Sequence, residues 1–141
     1  MSSDMPSFIT HEEVMFFDTD IGGVVHNLAY LRMIETCRTK LATERLGMDL
    51  KDMANTGLFP VVLRTEVDYR IPATLGHKLT IKGRLDSVER VRFWCAFEIY
   101  AEGIDKCLIT CRQSLAMVQM TNNGKPGKPQ RLPKEWREKW L

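Results

Sequence analysis

Residues 27–50, NLAYLRMIETCRTKLATERLGMDL, decide the fold, because they form the one long helical pattern in a chain of strand patterns. Apolar side chains recur there at the three- and four-residue spacing that defines one face of a helix: Leu31, Ile34, Cys37 and Leu41. Gly47 is a suitable residue to end the helix. Glu35 and Arg38 stand three residues apart, so they can pair across one turn.

Strand patterns lie on both sides of this helix. Apolar and polar residues alternate with a period of two, which is typical of half-buried strands, in one short stretch before the helix and four longer stretches after it: about residues 11–18, 58–70, 79–86, 91–100 and 106–120. Short polar connections at Glu89–Arg90 and Gly103–Asp105 suit antiparallel hairpins. The tail predicts a Gly/Pro/Lys turn and then a short basic helix in which Trp136 and Trp140 share a face.

A lone amphipathic helix and the sheet that follows it must cover each other's apolar faces. We therefore predict an α+β fold in which a curved antiparallel sheet of five or six strands wraps one long helix. The length of 141 residues and the absence of a repeat favour a single domain over residues 1–141.

Composition excludes several classes of protein. A net charge of +2 does not suit a general nucleic-acid binder, and no apolar run is long enough to span a membrane. The polar N-terminus, MSSDMPSFITHEEV, has no apolar signal segment, which favours the cytoplasm. The 4 cysteines form no CxxC pair and have no suitably spaced histidines, so we expect reduced buried thiols and no metal site.

The stretch DTDIGGVVHNLAY, residues 18–30, joins the first predicted strand to the helix. The first N–H groups of a helix have no internal acceptor and carry the positive end of its dipole, so the N–H near Asn27 can polarise a carbonyl oxygen. Gly22 and Gly23 permit unusual backbone angles and close approach of a ligand. Asp20 can place a carboxylate beside that carbonyl. The alternative is that these residues only form a turn and a helix cap.

The stretch FFDTDIGGVVHNLAYLRMIETCRTKL, residues 16–41, resembles the signature of the 4-hydroxybenzoyl-CoA thioesterase family of hotdog-fold acyl-CoA thioesterases. VDYRIPATLGHKLTIKGRL and GKPQRLPKEWRE resemble that family's later blocks, in the same order. The resemblance implies a hotdog fold and hydrolysis of acyl-CoA to a carboxylic acid and free CoA. It also implies homodimers or homotetramers with active sites at the dimer interface. Asp20 is then the catalytic carboxylate, the Asn27 N–H polarises the thioester, and Asp18 is structural.

One departure from the family pattern falls within the site. Many relatives, including the branch encoded with the Tol–Pal envelope system, have GVVYH where this chain has GVVHN. A backbone N–H survives this change, but a histidine that steers water does not. His26, in the place of the family tyrosine, then either lines the active site or faces a different way from the family histidine. Gly22, Gly23 and Tyr30 are the other substrate-binding residues that we expect around the thioester.

The proposed chemistry needs no metal or cofactor, since coenzyme A enters as part of the substrate. A carboxylate is ionised at neutral pH and is a weak base, which favours nucleophilic attack by Asp20; general-base activation of water is the alternative. Arg90 and Arg92 are candidates to bind the CoA phosphates, or else they belong to a solvated hairpin tip. Five further residues either contact the substrate or belong to the ordinary surface and core. In the first case Arg70 and Lys82 bind phosphate, and Phe59, Val62 and Tyr69 line the acyl pocket.

Two other functions fit a hotdog fold. The first is a non-catalytic module that binds acyl-CoA or a fatty acyl group, which has no need of Asp20. The second is a hydro-lyase acting on acyl thioesters, which usually requires a histidine with an acidic partner in a different pattern. The sequence leaves the acyl group and the choice between dimer and tetramer open.

Overall fold

A computed structural model describes residues 5–141. The strands are β1 (Ser7–Glu13), β2 (Leu58–Tyr69), β3 (Lys78–Val88), β4 (Arg92–Ala101), β5 (Ile109–Met120) and β6 (Pro126–Gln130). The helices are α1 (Asn27–Arg45), α2 (Leu50–Thr56) and α3 (Lys134–Trp140), and a short 3-10 turn covers Phe16–Asp18.

The strands form one six-stranded antiparallel sheet in the order β1-β3-β4-β5-β2. β6 pairs with the end of β5, alongside the start of β4. β1 and β2 are therefore the edges of the sheet. All pairings are antiparallel, so the start of β3 and the ends of β1, β2 and β4 meet at one end of the sheet.

Helix α1 packs against one face of the sheet, and its contacts with β1 and β3 hold it there. Its buried face consists of apolar side chains and one thiol: Ala29, Tyr30, Met33, Ile34, Cys37 and Leu41. The closest approach is at Gly83, where an added Cβ would lie 2.9 Å from both the Cys37 Sγ and the Phe97 ring. The predicted inner face of β4 is confirmed, since Phe93, Cys95, Phe97 and Ile99 are all buried.

The fold class, the long helix and its end before Gly47 are confirmed, whereas the end of the first strand is wrong. The helix ends at Arg45, and Gly47 takes the positive φ of 71° that follows it. The first strand ends at Glu13 instead of near residue 18, because the backbone then turns into the 3-10 segment. Helix α2 and strand β6 were not predicted. α3 is confirmed, with the Trp136 and Trp140 rings 5.8 Å apart.

No helix within residues 5–141 is both long and apolar enough to cross a membrane. The cytoplasmic location stays a prediction, and residues 1–4 of the polar N-terminal stretch lie outside the described residues. Cys37, Cys95 and Cys111 are buried thiols, and Cys107 is half-buried.

Candidate active site

The two aspartates of the DTD sequence have opposite surroundings. Asp18 is buried, and its Oδ2 accepts a hydrogen bond from the Met15 N–H at 2.9 Å. Its carbonyl oxygen accepts the His26 N–H at 3.0 Å, which ties the 3-10 turn to the start of α1. These contacts give Asp18 the structural role expected from the sequence.

Asp20 is exposed, and only one of its carboxylate oxygens is used by the fold. Its Oδ1 accepts the N–H groups of Gly22 at 2.9 Å and Val24 at 3.4 Å. Its Oδ2 has no hydrogen-bond partner in the part of the chain that the structure describes. Gly23 closes this turn with a φ of 75°. Asp20 therefore forms the turn with one oxygen and presents the other, so the turn and the catalytic interpretations are compatible.

Gly22 lies against the Asp20 carboxylate. An added Cβ at this position would lie 3.4 Å from the Asp20 Oδ1, an ordinary van der Waals contact with the oxygen that already accepts the Gly22 N–H. Gly23 has the unusual backbone conformation that was predicted, whereas access for a ligand at Gly22 stays a prediction. The contact of both glycines with a substrate also stays a prediction.

The same loop positions the start of α1. Val24 and Val25 pair with Thr74 and Ala73 beyond β2, through an isolated bridge and a Val25 N–H hydrogen bond of 2.9 Å. His26 is the N-cap, and its Nδ1 accepts the Ala29 N–H at 3.2 Å. Within residues 5–141 the N–H groups of Asn27 and Leu28 have no acceptor, and they lie at the positive end of the helix dipole. The predicted Asn27 donor is therefore free, and Leu28 adds a second one.

Two tyrosines lie beside this helix start. The Tyr69 hydroxyl donates to the Asn27 Oδ1, a contact that the sequence did not predict. Tyr30 is buried, its ring lies 5.9 Å from that of Tyr69, and its hydroxyl accepts the Ala73 N–H at 2.9 Å. Burial raises the pKa of both phenols, so they stay protonated at neutral pH. Tyr30 is thus a buried support of the loop, and its predicted contact with substrate is untested.

Arg90 and Arg92 lie at the opposite end of the sheet from Asp20. The loop that holds Asp20 contacts the chain just before β3 begins, whereas both arginines follow the end of β3. Strand β3 runs for 11 residues, which separates its ends by roughly 35 Å at the usual rise of a strand. A single chain does not bring these arginines to Asp20.

A polar cluster joins α1 to the sheet further along the helix. The predicted pair of Glu35 and Arg38 is confirmed, with 3.3 Å between the Arg38 Nη2 and the Glu35 Oε1. Arg38 also donates to the Gln113 Oε1 at 2.5 Å, and the Gln113 amide donates to the Thr65 hydroxyl at 3.2 Å. Gln113 was missed by the sequence analysis. The signal that could have identified it in the sequence is a polar residue on the otherwise apolar inner face of β5.

Known proteins resemble this chain along most of its length. Residues 14–140 match the family model of the thioesterase-like superfamily. The chain is 27% identical over 121 residues to a 1,4-dihydroxy-2-naphthoyl-CoA hydrolase of Thermosynechococcus vestitus, covering 85% of this chain and 82% of that one. A solved structure of a probable thioesterase from Bartonella henselae is 28% identical, with a TM-score of 0.77, covering 90% of this chain and 99% of the other.

A further solved structure, a 1,4-dihydroxy-2-naphthoyl-CoA thioesterase from Synechocystis, has a TM-score of 0.79 over 93% of each chain. At 20% identity this likeness shows the fold alone. The chain belongs to the thioesterase-like superfamily, which confirms the hotdog fold and the assignment to the thioester hydrolases. The narrower 4-hydroxybenzoyl-CoA branch stays a prediction.

Proposed function

We propose that this protein hydrolyses acyl-CoA thioesters to a carboxylic acid and free CoA at the loop of residues 18–28. One observation carries the proposal: this loop presents both a free carboxylate oxygen, the Asp20 Oδ2, and the unpaired N–H groups of Asn27 and Leu28. A carboxylate and a pair of fixed donors are the groups that acyl transfer requires. The CoA hydrolase among the relatives supports this substrate class.

In the proposed reaction the thioester carbonyl oxygen accepts the Asn27 N–H. The Asp20 Oδ2 attacks the carbonyl carbon, the C–S bond breaks, and CoA leaves as a thiolate that takes a proton from solvent. Water then hydrolyses the mixed anhydride and restores the carboxylate. Each fixed donor to the developing oxyanion is worth about 3 kcal/mol. Activation of water by Asp20 as a general base is the alternative route. Neither route requires a metal or a cofactor.

The surface around the site supports an oligomer with joined sheet edges. β2 is a 12-residue edge strand, and such an edge offers a row of backbone groups to a second strand. Large apolar side chains are exposed beside it and around the Asp20 loop: Phe16 (82%), Phe17 (75%), Ile21 (107%), Leu28 (71%), Leu63 (49%) and Tyr69 (53%). Several large exposed apolar side chains in one region of the surface are typical of an interface. We propose that a second copy covers it, in a homodimer or a homotetramer.

Such a dimer supports the predicted role of Arg90 and Arg92. Antiparallel pairing of two β2 strands sets the start of one strand against the end of the other. The start of β4 lies two strands in from that edge, level with the start of β2. At about 4.8 Å per strand, the partner's copy of Arg92 would lie roughly 15 Å from Tyr69 and hence near Asn27. We propose that each site takes its carboxylate from one chain and its phosphate-binding arginines from the other.

A panel of acyl-CoA substrates tests the proposed function. Purified protein is incubated with straight-chain and aromatic acyl-CoAs, and released CoA is measured by its free thiol. We expect turnover of at least one of these thioesters and none of the corresponding acyl-CoA thioether. Saturable binding of every acyl-CoA without thiol release would contradict hydrolysis and favour the non-catalytic acyl-CoA-binding module.

A further inference from the structure

We infer that an apolar pocket between α1, α2 and the start of β2 binds the distal end of a straight acyl chain, so that long-chain acyl-CoAs are the preferred substrates. The inference rests on the proposed function, because it places the thioester at the Asn27 N–H. Four features carry it: the pocket's volume and lining, its polar rim, the groove that lies between it and the helix start, and its distance from the thioester.

The pocket has a volume of about 220 Å³ and is lined mainly by apolar side chains: Leu41, Leu46, Met48, Met53, Phe59 and Leu115. The pocket is partly open, so these apolar side chains stay in contact with water unless a ligand covers them, which is unfavourable. Helix α2 forms one wall without filling the space, since none of its residues is buried and Leu50 is 56% exposed. The lining predicts a hydrocarbon ligand.

The polar rim of the pocket argues against binding of a free carboxylate. Glu35 and Arg38 are the charged residues among those that line it. Arg38 is already bound to the Glu35 carboxylate and to the Gln113 amide, so its charge is compensated. An incoming carboxylate would have to compete with Glu35, whereas a hydrocarbon chain needs no charged partner.

A groove lies between this pocket and the start of α1. The groove has a volume of about 320 Å³ and is lined by Leu28, Leu31, Val62 and Thr65, among others. It shares Glu35 and Arg38 with the pocket, so this pair, which Arg38 ties to Gln113 on β5, lies between the two spaces, and an acyl chain has to pass it. Leu28 follows Asn27 directly, which places one end of the groove beside the proposed thioester position.

The distances fit a long chain. Along α1 the rise of 1.5 Å per residue puts Glu35 about 12 Å from Asn27 and Ala42 about 22 Å from it. An extended chain advances about 1.2 Å per bond, as three bonds of a peptide span about 3.5 Å. Sixteen carbons therefore reach roughly 18 Å, past Glu35 and into the pocket, whereas a four-carbon chain or a single aromatic ring ends within the groove.

The test fills the pocket without changing the catalytic loop. Ala42 lines the pocket from α1, and Ala42→Leu adds three carbons to it. Ala54 is exposed on α2 and is not among the lining residues, so Ala54→Leu adds the same atoms outside the pocket. The readout is kcat/KM for hexadecanoyl-CoA and for butyryl-CoA in the wild type and in both variants.

We expect Ala42→Leu to lower kcat/KM for hexadecanoyl-CoA by about tenfold or more, the equivalent of expelling two or more methylenes. For Ala42→Leu, kcat/KM for butyryl-CoA stays within about twofold of the wild-type value. Ala54→Leu changes kcat/KM for neither substrate by more than about twofold. Equal losses on both substrates, or no loss on hexadecanoyl-CoA, overturn the inference. Either result leaves the proposed function standing as long as the wild type releases CoA.

Two further measurements keep the inference testable if turnover is absent or Ala42→Leu does not fold. Calorimetry with the hexadecyl-CoA and butyl-CoA thioethers measures binding alone, and we expect Ala42→Leu to weaken only the former. Leu50→Trp fills the pocket from an exposed position and should act in the same way. If Ala42→Leu instead changes the sedimentation coefficient of the ligand-free protein, a second copy occupies the pocket and the inference is wrong.

Discussion

Two aspartates two residues apart have different surroundings, because Asp18 is buried and Asp20 is exposed. The sequence DTD alone does not distinguish them, since either aspartate can cap a turn. The distinction comes from the 3-10 turn, which buries Asp18 against the Met15 N–H and leaves Asp20 outside. The position of Asp20 before the glycine pair suggested a carboxylate beside the carbonyl, and the family resemblance assigned the catalytic role to it.

Buried thiols give a prediction at high pH. Burial raises the pKa of Cys95 from its ordinary 9.0 to about 12 and that of Cys111 to about 11. The folded state therefore holds these protons more tightly than the unfolded state. The free energy of unfolding is therefore highest below pH 9 and falls as the pH rises from 9 to the folded-state values of about 11 and 12, by up to about 1.4 kcal/mol per pH unit for each thiol.

Urea unfolding at pH 8 and pH 10.5 under reducing conditions measures this loss. We expect Cys95→Ala to lose less stability between the two pH values than the wild type does, because one of the two thiols no longer ionises on unfolding. Cys107→Ala is the control, as this half-buried thiol lies outside the core cluster. An identical pH dependence for Cys95→Ala and the wild type would show that the Cys95 thiol is not protected by the fold.

At the scale of the elements, the start of α1 is where fold and chemistry meet. His26 satisfies the Ala29 N–H with its ring and leaves the Asn27 and Leu28 N–H groups free. The cap thus fixes the helix start without blocking the proposed oxyanion donors. This contact also gives the histidine that departs from the family pattern a definite structural role.

Removing this cap should reduce the stability of the helix start more than it reduces the rate of hydrolysis. We expect His26→Ala to lower the free energy of unfolding by about 1 kcal/mol, the usual cost of losing an N-cap. His26→Asn supplies another capping side chain and should recover most of that loss. Urea unfolding of the two variants measures the difference. If His26→Asn is as unstable as His26→Ala, the ring contributes through packing and not through the hydrogen bond to Ala29.

Periodicity predicted α1 and the long strands, including the largely exposed edge strand β2, and missed the two short elements α2 and β6. α1 and β4 face the core along their whole length, so their spacing alone identified them. Helix α2 buries no residue and β6 contains two prolines and a glycine, so neither carries a clear period. β2 has a bulge between Val62 and Arg64, which displaces Leu63 from the alternation that the sequence predicted. The placement of Arg90 and Arg92 depends on topology and, in our proposal, on a second chain.

At the scale of the whole molecule, the two sheet edges are not equivalent. β2 is long and has exposed apolar neighbours at the proposed site, whereas β1 has 7 residues. We expect Leu63→Lys to yield monomers in sedimentation velocity, because a charged side chain on an edge strand opposes pairing. Ile9→Lys, at an equally exposed position on β1, should leave the oligomer intact. A wild-type protein that is monomeric at micromolar concentration, with full activity, contradicts the proposed interface.

The arginines give a second prediction at this scale. If Arg92 of one chain binds the CoA phosphates of the other chain's substrate, Arg92→Ala should raise KM for acyl-CoA by about tenfold, the worth of one charge-assisted contact. KM for the corresponding acyl-pantetheine, which lacks the nucleotide, should change little. Steady-state kinetics on both substrates separates the possibilities. Similar losses on the two substrates would indicate that Arg92 supports the hairpin.

The central claim, that the Asp20 carboxylate performs the hydrolysis, is tested most directly by kcat of Asp20→Asn. The amide keeps an oxygen for the Gly22 and Val24 N–H groups, so the turn and the fold should persist. It removes the free, charged Oδ2, and we predict that kcat falls by about a hundredfold or more with little change in KM. A folded Asp20→Asn protein that retains most of its kcat would contradict the account and leave the DTD stretch with a structural role alone.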